Sequence, residues 1–141
     1  RLYDEIRRSV KKSDPPLQRI RKVINTFVEF GTRNANIYDV MFSRPIKQHS
    51  EYIGTSLEKI SDDEFHNSLK VLTYTVKVIK DYRKSKPELS STDEKFLAIK
   101  IFSTLHGVIS LHNSGILRQV ATDTDNVLEK TVDNIIRLIS K

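Results

Sequence analysis

The residues of this chain best equipped for chemistry are its four histidines, and their spacing does not assemble them. His49, His66, His106 and His112 fall at no separation typical of metal ligands on one helix or loop. His66 follows Glu64 by two residues, but an acid and an imidazole at a helix start serve capping more often than ligation. The run Asp62, Asp63, Glu64 has an equally simple origin, because carboxylates are favoured at the positive end of a helix dipole. The chain has no cysteine, which removes disulfides, thiolate nucleophiles and Cys-based zinc sites and suits a reducing cytoplasm. Neither a glycine-rich phosphate loop nor a GxSxG nucleophile elbow occurs. The expectation is a protein that is no enzyme, holds no metal and needs no cofactor.

A binding function is easier to read. Phe102, His106, Gly107 and Leu111 belong to a strongly apolar run in which the His-Gly pair is the exception. A glycine inside a helix costs about 1 kcal/mol relative to alanine, so Gly107 is expected to mark the close approach of another backbone or of a bulky group. Phe27, Phe30, Tyr38, Phe42 and Phe102, with Leu72 and Val76, are candidate walls of an apolar pocket, and Tyr38 and His106 its polar handles. An ordinary packed core without a cavity is the simpler alternative.

These residues need elements to hold them, and helical periodicity dominates the chain. Residues 2–12 place Leu2, Ile6 and Val10 on one stripe. Asp14, Pro15 and Pro16 read as an N-cap and a proline-tolerant first turn. The helix they open carries Leu17, Ile20, Ile24, Phe27 and Gly31 at spacings of three and four, widened by Val23, Val28 and Phe30. Such a broad apolar face predicts a central helix. Asn34 to Asn36 is the expected break, a short piece from Ile37 to Phe42 follows, and Pro45 stops it. Residues 46–61 read as either a loose helix or a loop. Ser61 to Glu64 then looks like a cap for a helix with Phe65, Leu69, Leu72, Val76 and Ile79 on its stripe, ending in Lys80, Arg83, Lys84 and Lys86 before Pro87. A second cap, Ser91 to Glu94, opens a helix over 93–113 that is apolar on most sides, and Gly115 is its expected terminator. The last helix, about 124–140, stripes Leu128, Val132, Ile135 and Ile139. No strand alternation and no internal repeat compete. The fold expected is all-α, an antiparallel arrangement of about six to seven helices in one domain spanning 1–141.

The charge distribution narrows the partners. The net charge is +6 over 141 residues, with 24 basic and 18 acidic side chains. Residues 1–30 carry a surplus of +4 and residues 77–110 one of +3, while the last 31 residues are neutral. Solvated helix faces are the simplest reading of Arg7, Arg8, Lys11, Lys12, Arg19, Arg21 and Lys22, and proximity to an acidic partner such as a DNA backbone is the other. Every long apolar stretch is broken by Lys, Asp or Ser, so no membrane span is expected.

The pairing of Phe102 with His106 and Gly107 resembles the C-terminal domains of TetR-family transcriptional regulators that carry a Trp…His-Gly signature, with Phe102 in the Trp position. The segment from Phe27 and Phe30 through Asn34, Ala35 and Asn36 to Tyr38, Met41 and Phe42 resembles the same subgroup's aromatic helix, Asn-Pro-like break and Tyr-x-x-Met-Phe run. Ala35-Asn36 departs from the usual Asn-Pro, and the 43–61 stretch is longer than that pattern. The resemblance covers about residues 2–140. It implies a homodimer whose last two long helices pair with their symmetry mates in a four-helix bundle, a small hydrophobic effector in the domain's interior, and operator DNA bound only through an N-terminal helix-turn-helix absent from this chain. On that basis Ile109, Leu128, Val132, Ile135 and Ile139 are the expected dimer contacts. Two rivals stay open: a helical protein–protein interaction module with an exposed apolar groove, and a bundle that binds nucleic acid without sequence preference.

Overall fold

The structure is a computed structural model that describes residues 1–43, 53–56, 58–89 and 93–141, and of these the side chains of all but 43, 60–65, 67 and 68. Among the described residues there are seven α-helices and no strand: α1 (Leu2–Ser9), α2 (Pro16–Arg33), α3 (Ala35–Tyr38), α4 (Glu58–Ser85), α5 (Glu94–Asn113), α6 (Ile116–Val120) and α7 (Thr124–Ile139). A single π-helical turn, Asp39–Ser43, continues α3. The all-α reading of the sequence holds.

Helix α2 is the axis of the domain. Its wide apolar face, Ile20, Val23, Ile24, Phe27, Val28, Phe30 and Gly31, is buried, and α1, α4, α5 and α7 all pack on it. Each fully covered aliphatic or aromatic side chain contributes about 1.5–3 kcal/mol relative to leaving it in water. That explains why a helix with seven buried residues needs neighbours on several sides.

The start of α2 differs from its expectation. Asp14 does not cap the helix; its carboxylate instead accepts from the Lys11 backbone N–H at 2.7 Å and from the Lys22 ammonium at 2.9 Å. The reason is local: Pro16 has no N–H, so one donor that an N-cap at Asp14 would satisfy does not exist. Lys22 and the Lys11 amide hold the Asp14 carboxyl below its ordinary pKa. Helix α1 is shorter than 2–12, ending where Val10 turns to an extended conformation. Helix α4 begins before Ser61, so the expected cap lies inside the helix, and its side chains, like that of Phe65, fall outside the described residues. Pro45 and most of 46–57 also lie outside the described residues. The other two boundaries behave as the sequence suggests. Asp93 accepts from the Lys95 N–H at 2.9 Å at the head of α5, and Gly115 adopts φ +82°, a left-handed conformation that favours glycine, just beyond its end. The short α6 was not expected.

The last two long helices bury their apolar stripes within the single chain. Ile109, Val132, Ile135 and Ile139 are each no more than 4% exposed within the single chain, and Leu128 is half-buried against the same core. They are core residues of the protomer, not its surface, because α5 and α7 turn their richest stripes onto α2. An ion pair, Arg21 to Asp133 at 2.9 Å, fixes α7 on α2 at the edge of that contact. The faces left outside carry Phe96, Ile99 and Leu111 on α5 and Leu138 on α7. Gly107 lies on that outer side of α5 and has open space where a Cβ would stand.

Candidate functional site

Where α2, α3 with its π turn, and α5 meet, five of the expected pocket residues come together. Phe27 projects from the buried face of α2. Its ring centroid lies 5.1 Å from that of Phe102, 5.5 Å from that of Phe42 and 6.0 Å from that of Tyr38. Tyr38 and Phe42 are 4.9 Å apart across the π turn, and the Tyr38 ring stacks on the His106 imidazole at 5.7 Å with only 27° between their planes. Aromatic pairs at such offsets contribute beyond the area they bury. Phe27 and Tyr38 are fully covered, while Phe42, Phe102 and His106 are half-buried, so the cluster is closed on the α2 side and partly open on the other.

The two polar members satisfy each other. The Tyr38 hydroxyl and His106 Nδ1 are 2.8 Å apart. Burial pushes the Tyr38 phenol well above its ordinary pKa, so it stays protonated. Its O–H donates to Nδ1; the opposite arrangement would leave a buried O–H without an acceptor. Nε2 is then the ring nitrogen left to make a further hydrogen bond, beside aromatic faces.

The remaining expected residues are close but not in the ring cluster. Leu72 and Val76, on α4, are half-buried and pack against the same core. Phe30 is buried one turn along α2, where the Arg1 guanidinium stands 6.0 Å from its centroid, and it shares no ring contact with the other five among the described residues. Sequence reasoning missed three contributors. A Cβ built on Gly31 would meet Ile109 side-chain atoms at 3.0 Å and the Tyr38 ring at 3.1 Å, so only glycine lets α5 and Tyr38 come this close to α2. Asn113 donates from Nδ2 to the Gly31 carbonyl at 2.9 Å, tying the end of α5 to the same turn. The π turn at Asp39–Ser43 re-aims Phe42, and such turns recur at functional sites. The buried glycine at helical spacing from Phe27 was the available signal for the first. The other two had none. Beside the cluster, residues Arg33 to Ile37 line an open surface depression of about 350 Å³.

No helix among the described residues is long and apolar enough to cross a membrane. No curated protein and no solved structure matches the chain. A comparison with protein families matches residues 20–135 to the family described as tetracyclin repressor-like, C-terminal domain. That match spans α2 through most of α7 and includes every residue of the aromatic cluster, so the chain belongs to the tetracyclin repressor-like C-terminal domains, the ligand-binding and dimerisation part of TetR-family transcriptional regulators.

Proposed function

We propose that this domain binds a small, uncharged, largely aromatic effector at the cluster of Phe27, Tyr38, Phe42, Phe102 and His106, and that occupancy controls operator binding by a helix-turn-helix preceding it in a cytoplasmic regulator. The observation that carries the reading is the Tyr38–His106 hydrogen bond, a neutral polar pair at the half-open edge of an aromatic cluster. A ligand with a hydrogen-bond acceptor can use the Nε2 donor and bury its rings against Phe42 and Phe102. Leu72 and Val76 would flank it from α4.

The domain would work as a homodimer, through the outer faces of α5 and α7 and not through the buried stripe. Phe96, Ile99 and Leu111, with Gly107 between them, form an apolar surface whose centre lets a second backbone approach closely. Leu138 extends it on α7. A two-fold interface uses the same patch from both copies.

Thermal unfolding in the presence of neutral aromatic compounds tests the ligand. At least one compound raises the melting temperature of the chain, and Tyr38→Phe together with His106→Ala abolishes the shift; a panel without any shift overturns the effector reading. Sedimentation tests the assembly, with a mass twice the 16.3 kDa protomer expected and Leu138→Glu with Ile99→Glu returning it to the protomer. A monomer that binds no compound would instead favour a module that receives another protein on the same outer face.

A further inference from the structure

A third surface belongs neither to the aromatic cluster nor to the outer face of α5 and α7. Where α1 lies against α4, Tyr3 and Tyr74 meet edge to face with centroids 6.2 Å apart. Each ring carries a cation from the opposite helix: the Arg7 guanidinium stands 5.1 Å over Tyr74, and the Lys70 ammonium 5.9 Å over Tyr3. Along α4, Lys70, Lys77 and Lys84 recur every seven residues and are all exposed. At a rise of about 1.5 Å per residue they stand about 10.5 Å apart on one stripe.

The cations of this patch stand apart from the ion pairs of the rest of the surface. Elsewhere Arg1 pairs with Asp4 and Glu5, Arg21 with Asp133, Lys22 with Asp14 and Arg33 with Glu29. Among the described residues no carboxylate lies within ion-pairing distance of Arg7, Lys70, Lys77 or Lys84. Asp81, one turn from both Lys77 and Lys84, is half-buried and pairs with neither.

We propose that this α1–α4 surface docks on the sugar-phosphate backbone of duplex DNA, independently of base sequence. Cations about 10.5 Å apart cannot converge on one small anion, but they match a partner that repeats its charge along a line. Two of them are already ordered over tyrosine rings, so less side-chain freedom is lost when they meet a phosphate. The rings are engaged with each other and with these cations and offer no apolar group for insertion into a lipid surface. Cations on one stripe supply charge without a bidentate pattern for base edges, so the contact positions the protein and does not select a sequence. This contact goes beyond the effector reading and does not depend on it.

Fluorescence anisotropy of the 141-residue chain with a labelled duplex of arbitrary sequence, from about 50 to 200 mM salt, tests the proposal. The chain binds at low salt with a Kd that rises steeply with salt. Arg7→Gln/Lys70→Gln/Lys77→Gln lowers the slope of log Kd against log salt by about 2–3 and weakens binding at low salt on the order of tenfold or more. Arg118→Gln/Lys130→Gln/Arg137→Gln, with the same loss of charge on α6 and α7, leaves the slope unchanged. All six side chains are exposed, and circular dichroism verifies that both variants keep their helices. The proposal is overturned by any of three results: no binding at low salt, an equal loss in both triple variants, or binding to phosphatidylserine vesicles without binding to the duplex.

Discussion

The inner and outer faces of α5 both carry large apolar side chains, but they end in opposite surroundings. Inward, Leu97, Ile101, Leu105 and Ile109 are covered by α2 and its neighbours. Outward, Phe96, Ile99 and Leu111 remain 43–53% exposed. Each face also has its glycine: Gly31 of α2 receives the inner face at contact distance, while Gly107 on the outer face meets nothing. Lys100, Ser103 and Thr104 interrupt the outer face, but the decisive difference is that the chain itself provides a complementary surface only inward.

That contrast makes graded claims about stability. The largest difference is expected between Ile109→Ala and Ile99→Ala. The first empties a packed site and costs about 2–5 kcal/mol in urea unfolding. The second costs the isolated protomer about 0.5 kcal/mol or less. If a second copy covers the outer face, the cost of Ile99→Ala grows with protein concentration and that of Ile109→Ala does not. Equal costs for the two at low concentration would erase the distinction between the faces.

Next comes Gly31→Ala. Removing a glycine from a helix favours folding by about 1 kcal/mol, but the added methyl would press on Ile109 and Tyr38 at 3.0–3.1 Å. Overpacking of this kind costs about 1–3 kcal/mol, so a net loss of up to about 2 kcal/mol is expected, with a disturbed Tyr38–His106 contact visible in the tyrosine ultraviolet spectrum. The same change at Gly107, with open space around it, should raise protomer stability by about 0.5–1 kcal/mol. A melting temperature that moves the same way in both variants would break the comparison.

The smallest effect is expected outside α5 altogether, at Asp14. The Lys22 ammonium and the Lys11 amide hold its folded-state pKa below the ordinary carboxylate value, so its contribution is present above that ordinary value and is lost as the pH falls through the lower folded value. Asp14→Asn should therefore be less stable than the unaltered chain at neutral pH, and the two should converge once the pH has fallen through the lowered folded-state value. A difference that persists there would assign the effect to packing instead of charge.

The long helices could be read from the sequence because they rest on local spacing, and so could the two halves of the aromatic cluster: Phe27, Tyr38 and Phe42 lie close in sequence, as do Phe102 and His106. Their meeting joins Tyr38 to His106 across 68 positions and is a property of the fold. The inward face of α5 could not be read, since periodicity carries no information when a helix is apolar all round. For the same reason the stripe of Val132, Ile135 and Ile139 suited a protomer core as well as a partner. Gly107, inside an apolar helix, carries the sequence signal of a close approach, whereas Gly31, near the end of its helix, is the glycine that meets Ile109 and Tyr38 within the chain. The displaced role of Asp14 needed Lys22, eight residues away, to be placed first.

The position of α2 as the axis also sets the order in which the domain can be completed. Its partners are scattered along the chain, and the Arg21–Asp133 pair joins groups 112 positions apart. During synthesis, α2 emerges with an apolar face that only α1 can begin to shield, and α7 is the last of its covers to appear. Until then the nascent domain carries an unsealed seam. A domain built this way depends on the emergence of α7 before it can fold cooperatively, and truncations that remove α7 should yield aggregation-prone intermediates instead of a smaller stable fold.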